Sequence, residues 1–228
     1  MCRCSPTACA PGPASHSRYA AAMDEVKLLH ADVDLLVVDK PAGLLSVPGR
    51  GDGEQHNLTV HLRRQFVDAM VVHRLDQATS GLMLFARHAD MQRSLSMAFE
   101  ARQVHKRYVA VVHGHVAGES GSIDAPLMAD WPHRPRQRVD AERGKPALTH
   151  WRVTQRESHT TRLQLEPVTG RSHQLRVHLL SIGHPIVGDM LYSEGWPAHP
   201  RLLLHATQLR LLHPRTGKAL DFDCPPPF

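Results

Sequence analysis

Residues 73–81 read His-Arg-Leu-Asp-Gln-Ala-Thr-Ser-Gly, and they lie between two apolar runs, residues 70–72 and 82–86. Asp76 is the only carboxylate across these segments, and a carboxylate resists removal from water unless another group pairs with it. The Ala-Thr-Ser-Gly segment that follows is typical of a turn, because its hydroxyls can bond nearby backbone. The pattern predicts two strands joined by a turn, with Asp76 at the mouth of a cleft. Taken alone, this spacing fits either a turn residue or a nucleophile.

The composition is that of a globular protein with a mild excess of positive charge. The 228 residues are 42% hydrophobic and carry a formal net charge of +5, with 18 histidines besides. That length is enough for one sizeable core, or for a single domain with two lobes. A pI near 9.3 fits either a solvated basic surface or a surface that binds an anionic partner such as nucleic acid.

The basic residues are clustered rather than spread evenly. Arg134, Arg136 and Arg138 alternate along the chain, and Lys106 and Arg107 form a second group. Side chains two residues apart lie on one face of an extended segment, so the three arginines are predicted to form one phosphate-contacting face. All five residues are therefore candidates for nucleic-acid binding.

The cysteines indicate neither a zinc site nor disulfides, and the N-terminal segment does not resemble a secretory signal. Three cysteines lie in the first nine residues and Cys224 lies near the end, a spacing that fits no common zinc site and no disulfide scaffold. Residues 1–22 contain no acid and no sustained apolar stretch, so we expect a disordered extension rather than a secretory signal. No stretch has the length of a transmembrane helix. We therefore expect a cytoplasmic protein whose globular part begins near Met23.

Hydrophobic periodicity and turn residues predict an α+β fold with a largely antiparallel, mixed sheet, because strands outnumber helices without regular alternation. Helices are predicted to start at caps Asn57, Asp90 and Ser172, the first running to about Phe66 and the last to Ser181. The predicted strands cover residues 35–39, 71–75, 82–87, 108–115, 151–153 and 162–168, with a terminal hairpin of 202–212 and 219–222.

Residues 73–81 and the apolar run after them resemble the catalytic motif of the RluA family of pseudouridine synthases. Three further segments resemble other family motifs in the same order: DVDLLVVDKPAGLLSVPGR (32–50), KRYVAVVHG (106–114) and PVTGRSHQLRVHLLSIGHPIVGDMLY (167–192). The segments 130–137, 144–149 and 201–206 are similar to the small family member that modifies both tRNA and 23S rRNA. The resemblance implies a catalytic domain over residues 23–228 without an S4-like module. It also implies the family fold, a long bent sheet with flanking helices and a central cleft.

By this resemblance, Asp76 is the catalytic carboxylate, acting as nucleophile or base, and Tyr108 and Arg176 are the active-site tyrosine and basic residue. Arg176 is expected to orient Asp76 through two hydrogen bonds. Without the resemblance, Arg176 is equally a solvated helix charge, and Tyr108 is a core residue. Arg74 is expected to brace the RNA once the target base leaves its stack, or simply to pair with Asp76. Arg171 joins the predicted RNA-binding residues.

No cofactor or metal is expected. The chain has no G-x-x-x-x-G-K-[ST] motif and no G-x-G-x-x-G after a strand. The pairs His113/His115 and His173/His178 are candidate metal ligands, but the second pair is five residues apart rather than the four that share a helical face. The expected substrates are tRNA and 23S rRNA stem-loops. The protein is expected to be a monomer that binds no membrane and needs no protein partner. Two alternatives stay open: a catalytically silent RNA-binding domain and a metal-dependent hydrolase.

Overall fold

The structure is a computed structural model and describes residues 26–49 and 56–228. The predicted disordered extension, residues 1–22, lies outside the described residues. The described helices are α1 (Leu58–Arg63), α2 (Ala89–Glu100) and α3 (Gln174–Ser181), with a short 3-10 helix at Trp131–His133. None of them is long and apolar enough to cross a membrane. The strands are β1 (Lys27–Ala31), β2 (Leu35–Lys40), β3 (Met70–Val71), β4 (Ser80–Ala86), β5 (His105–His113), β6 (Ser120–Asp124), β7 (Leu127–Ala129), β8 (Gln137–Val139), β9 (Leu148–Arg156), β10 (Thr160–Pro167), β11 (Leu204–Leu212) and β12 (Ala219–Asp223).

One large sheet organises the described part of the chain. Its strands follow the order β1-β2-β4-β11-β5-β10-β9-β6, with β12 paired to β11 and β3 paired to β4. The pairs are antiparallel except for β4 and β11, whose parallel register places Ser80 beside His205. Strands β7 and β8 form a separate two-stranded sheet. The predicted α+β class with a mixed, mostly antiparallel sheet is confirmed.

Two helices cover opposite faces of the sheet around β2 and β4. Leu82 and Leu84 of β4 lie in one apolar cluster with Met91 of α2, whereas the alternate residue Met83 lies in another cluster with Leu58 of α1. All seven residues of β4 are buried. A strand covered on both faces needs such an uninterrupted apolar run, which explains why residues 82–86 carry no polar side chain.

A second apolar core supports α3. Leu175 and Leu179, which are four residues apart and share one helical face, lie in a cluster with Leu163 and Leu165 of β10. Tyr108 of β5 packs against the same cluster. The core therefore fixes α3 beside the middle of the sheet.

Two of the three predicted helix caps are wrong. Asn57 caps α1 as predicted, accepting a hydrogen bond from the first turn at 3.0 Å, although this helix ends earlier than expected. The cap of α2 is His88 instead of Asp90, because the ring nitrogen Nδ1 accepts from the first turn at 3.3 Å. The residue before α3 is His173 instead of Ser172, because a left-handed backbone (φ 53°) starts the helix one residue later.

Candidate active site

Asp76 lies in the turn that enters β4, one of the middle strands of the large sheet. The backbone before it is fixed by Ser46, whose hydroxyl donates to the Leu75 carbonyl at 2.7 Å and accepts from the Leu75 N–H at 3.2 Å. The backbone after it is turned by the Thr79 N–H, which donates to the Asp76 carbonyl at 3.1 Å. The Asp76 side chain is 27% exposed. A carboxylate on a fixed backbone is thus open to a substrate.

A buried lysine ties this turn to the loop after β2. Lys40 is fully buried, and its Nζ donates to the carbonyls of Pro41, Leu44 and Gln77 at 2.9, 2.7 and 3.1 Å. Burial lowers the pKa of Lys40 to about 7, an effect opposed by nearby acidic charge, above all that of Asp76. Lys40 had no predicted role, although a lysine that closes an apolar strand is itself an unusual signal.

Arg176 contacts Asp76, but its main partner is a second acid. Its Nη1 lies 3.4 Å from Asp76 Oδ2, whereas its Nε and Nη2 donate to the two carboxylate oxygens of Asp189 at 2.7 Å each. The expected two-bond pairing of Arg176 with Asp76 is therefore wrong, because Asp189 takes the bidentate position. Burial disfavours the charged guanidinium, but the hydrogen bonds and charge of Asp189, then the charge of Asp76, hold the pKa of Arg176 above its ordinary value. At 5% exposure, Arg176 is not a solvated helix charge.

His173 completes the surroundings of Asp76. Its Nε2 lies 3.9 Å from Asp76 Oδ2, and its Nδ1 is 2.7 Å from the Tyr192 hydroxyl. The backbone N–H of Gln137 donates to that same hydroxyl at 2.7 Å, so the hydroxyl links His173 to the backbone of β8. Burial lowers the pKa of His173, while the charge of Asp76 raises it. The sequence presents His173 only as a disfavoured candidate metal ligand, and nothing in the local sequence reveals its contact with Tyr192.

Tyr108 lines the same cleft as Asp76 and Arg176. It packs against both main apolar cores with its ring, so the core interpretation and the active-site interpretation both hold for this residue. Burial, and then the negative charge of Asp76, raise the pKa of Tyr108 above its usual value. The phenol therefore stays protonated near neutral pH. The structure thus brings together the three residues predicted to be catalytic.

Comparisons with known proteins identify the family to which this chain belongs. A family model described as RNA pseudouridylate synthase matches residues 34–181. The chain belongs to this family. Among curated synthases, the chain is 45% identical over 204 residues to the dual-specificity RNA pseudouridine synthase RluA of Escherichia coli strain K12, covering 88% of this chain and 93% of that protein. It is 47% identical over 197 residues to the protein of the same name from Vibrio vulnificus strain CMCP6, covering 83% and 79%.

Solved structures of other synthases share the fold. The chain superposes on human RNA pseudouridylate synthase domain containing 1 with a TM-score of 0.76 at 28% identity, covering 90% of this chain and 85% of that one. Human RNA pseudouridylate synthase domain containing 4 gives a TM-score of 0.72 at 26% identity, covering 94% and 93%. The predicted enzyme class, an isomerase that makes pseudouridine in RNA, is confirmed. The comparisons support it over a catalytically silent RNA-binding domain.

The predicted RNA-binding residues of the synthase divide into two groups. Arg74, Lys106 and Arg171 line a groove of about 900 Å³ that also contains Asp76 and Tyr108. In the described part of the chain, the cation paired with Asp76 is Arg176, so the alternative of a simple Arg74–Asp76 pair is not observed. Arg107 instead lies on a neighbouring cleft, where its guanidinium donates to Glu166 at 3.0 and 3.1 Å.

The expected single face of Arg134, Arg136 and Arg138 is wrong. A 3-10 turn precedes the segment and the Arg136 N–H donates back to the His133 carbonyl at 2.9 Å, so only Arg138 lies in an extended strand, β8. The three side chains take separate partners. Arg134 stacks on Trp131, with 3.4 Å between the guanidinium carbon and the ring centroid, Arg136 lies 3.9 Å from Glu194, and Arg138 pairs with Asp140 at 3.1 Å.

Two side-chain groups in the described residues have the composition of a metal site, but their donor atoms already have protein partners. In the group Asp39, His205 and Cys224, the ring nitrogens of His205 bond the Ser80 hydroxyl at 2.9 Å and the Cys224 carbonyl at 3.1 Å. In the group Asp32, Asp34 and His213, Asp34 is held by Arg215 and by His88. His173 and His178 have separate partners, since His173 bonds Tyr192 and His178 bonds Thr149 and the Ala125 carbonyl.

Proposed function

We propose that this synthase isomerises a uridine in the anticodon stem-loop of tRNA and a uridine in a 23S rRNA hairpin, with Asp76 as the catalytic nucleophile or base. The support for two substrates is the similarity to curated dual-specificity synthases over most of their length. The support for Asp76 is its geometry. It is a partly exposed carboxylate on a fixed backbone, and it lies in a basic groove beside an arginine that Asp189 already neutralises.

The reaction breaks the N1–C1′ bond of uridine, turns the detached uracil and joins it again through C5. A carboxylate serves this reaction as a nucleophile toward the sugar or ring, or as a base. Nη1 of Arg176 and Nε2 of His173 both face Oδ2 of Asp76, at 3.4 and 3.9 Å. We assign both a positioning role, because contacts at one carboxylate oxygen restrict the orientation of Asp76.

Tyr108 is assigned to the base itself. Its ring borders the cleft beside Asp76, and stacking of a base on an aromatic ring contributes roughly 1–3 kcal/mol. Because burial keeps the phenol protonated, its hydroxyl can help to remove the C5 proton only after it loses its own proton to another group. Stacking on the uracil is therefore the first role of Tyr108.

Arg74 is assigned to the space that the uridine leaves. A base in a stem or loop must leave its stack before Asp76 can reach it. Arg74 is exposed, two residues before Asp76, and lines the groove. A guanidinium there can stack on bases and bind phosphate. We place this reaction in the cytoplasm, carried out by a monomeric catalytic domain of residues 23–228.

The test compares three RNAs of one sequence: full-length tRNA, the isolated anticodon stem-loop and an unpaired oligonucleotide. We expect pseudouridine in the stem-loop nearly as fast as in full-length tRNA, because one domain offers only a short contact surface. Asp76→Asn should abolish turnover and leave RNA affinity almost unchanged. Arg74→Ala should slow the stem-loop more than the oligonucleotide. Turnover by Asp76→Asn beyond a deamidation trace would refute its role, and activity on full-length tRNA alone would refute the substrate proposal.

A further inference from the structure

Arg102 has an unusual backbone for its residue type. It follows the end of α2, where the Arg102 N–H donates to the Phe99 carbonyl at 3.2 Å and the Gln103 N–H donates to the Ala98 carbonyl at 2.9 Å. This arrangement closes a helix with one left-handed residue, and Arg102 adopts it with φ 60°. Glycine is the usual residue there, because a Cβ crowds the backbone. An arginine is therefore a poor choice for ending α2, and its side chain needs another explanation.

The position of Arg102 relative to the site provides one. Among the described residues, Arg102 and His173 are the two non-glycine residues with positive φ, and both line the cleft region that contains Asp76 and Tyr108. Strained backbone of this kind is concentrated at functional sites. The side chain of Arg102 lines this groove together with Lys106.

Lys106 brings a second cation to the same place. A Cβ added at Gly170 would lie 3.8 Å from Lys106 Nζ, so the ammonium lies over the backbone of the loop before α3. Burial, and then the charge of Arg102, lower the pKa of Lys106. The acids that line this groove are Asp76 and Glu100, and in the described part neither forms an ion pair with Arg102 or Lys106. Among the described residues, neither of these two cations forms an ion pair with an acidic side chain.

We propose that Arg102 and Lys106 together bind one phosphate of the RNA backbone beside the target uridine. The proposal rests on the proposed function and adds a contact to it. A guanidinium and an ammonium can satisfy several phosphate oxygens with charge-assisted hydrogen bonds. Lys106 and Tyr108 are two residues apart on β5, so their side chains leave the same face roughly 7 Å apart along the strand. The phosphate therefore belongs to the target nucleotide or to its immediate neighbour.

The decisive variant is Arg102→Gly, because it separates binding from stability. Glycine suits the left-handed backbone, so the thermal midpoint should stay equal or rise by roughly 2–4 °C. The anticodon stem-loop should bind about tenfold more weakly, because one charge-assisted contact is lost. The slope of log affinity against log salt should fall by about one. Arg93→Ala is the matched control, since Arg93 is exposed on α2, pairs with Asp90 and lies outside the groove.

Lys106→Met and the double variant test whether the two cations share one phosphate. Methionine keeps the aliphatic stem and removes the charge. If both side chains hold the same phosphate, the double variant should bind more tightly than the product of the two single effects predicts. Inorganic phosphate at constant ionic strength should compete with the stem-loop for the wild type and less for Arg102→Gly.

The turnover assay distinguishes failure of this inference from failure of the proposed function. For Arg102→Gly, the loss should fall on KM rather than kcat. The inference is overturned if Arg102→Gly binds RNA as tightly as the wild type and the Arg93→Ala control, or if its affinity falls together with its thermal midpoint. It is also overturned if the loss appears in kcat alone. If the wild-type enzyme makes no pseudouridine in the stem-loop, the proposed substrate is wrong, whatever Arg102→Gly does.

Discussion

Asp189→Asn should destabilise the synthase much more than Asp76→Asn, although both acids contact Arg176. The Asp189 side chain is fully buried and receives two hydrogen bonds of 2.7 Å from Arg176. The Asp76 side chain is 27% exposed and lies 3.4 Å from the same guanidinium. Removing one partner of a buried ion pair costs about 3–5 kcal/mol, because the other charge is left buried. A more exposed pair contributes about 0–1 kcal/mol.

Asp189 also fixes the backbone of the residues that follow it, and this second role bears on how much stability Asp189→Asn should lose. Its Oδ1 accepts from the N–H groups of Leu191 and Tyr192 at 3.0 and 3.2 Å. Asparagine keeps one acceptor oxygen for these contacts but places an amide N–H₂ against guanidinium donors. We therefore expect a loss of about 3 kcal/mol, at the lower end of the range. Because natural domains are stable by about 5–15 kcal/mol, the variant should still fold.

The measurement is urea unfolding followed by far-UV circular dichroism, at neutral pH, for the wild type and both variants. A common m-value lets the midpoints be compared as free energies of unfolding. Asp189→Asn should lose about 3 kcal/mol and Asp76→Asn less than about 1 kcal/mol. Both should fail in turnover, the first because Arg176 loses its orientation. Equal stability losses in the two variants would refute the assignment of Asp189 as the counter-ion of Arg176.

Three further predictions concern RNA binding, the pH dependence of stability and the effect of metal removal. Replacing Arg134, Arg136 and Arg138 together should flatten the dependence of log RNA affinity on log salt; an unchanged slope would make them solvated surface charges. Burial, then the charge of Lys106, lower the pKa of His73 from 6.5 to about 3. The unfolded chain therefore binds a proton between these values that the folded protein excludes, so stability should fall on acidification, by up to about 1.4 kcal/mol per pH unit. Urea midpoints at about pH 7 and pH 5 should differ less in His73→Gln, and an equal difference would contradict this assignment. Turnover should survive EDTA and dialysis, with RNA folding checked separately; loss restored by zinc would contradict a reaction that needs no metal.

The fold was predictable from sequence because its main signals are local. The buried run of β4 has an apolar residue at every position after Gly81, and the terminal hairpin of β11 and β12 surrounds a clear turn at residues 214–217. The order of strands in the sheet was not predictable in this way. The parallel contact of Ser80 with His205 joins residues 125 positions apart, and no local pattern encodes it.

Sequence motifs predict the main residues of the candidate site but not the side chains that hold them in place. Asp76, Tyr108 and Arg176 stand in motifs long enough to be matched, and the structure brings them into one cleft. Their partners were missed, because each partner depends on tertiary placement. Asp189 lies 13 residues after Arg176, in a loop whose sequence gives no sign that the acid turns inward.

Arg102 and His173 show why the remaining residues escape rules based on local preference. Those rules favour glycine at a left-handed position, so they have no reason to select an arginine or a histidine there. Both exceptions lie at the cleft that holds Asp76. The side chain of His173 contacts Tyr192 and lies beside Asp76, and that of Arg102 lies where we infer a phosphate contact. A non-glycine residue at a left-handed position is therefore a signal of function, whereas a glycine there would report only on the fold.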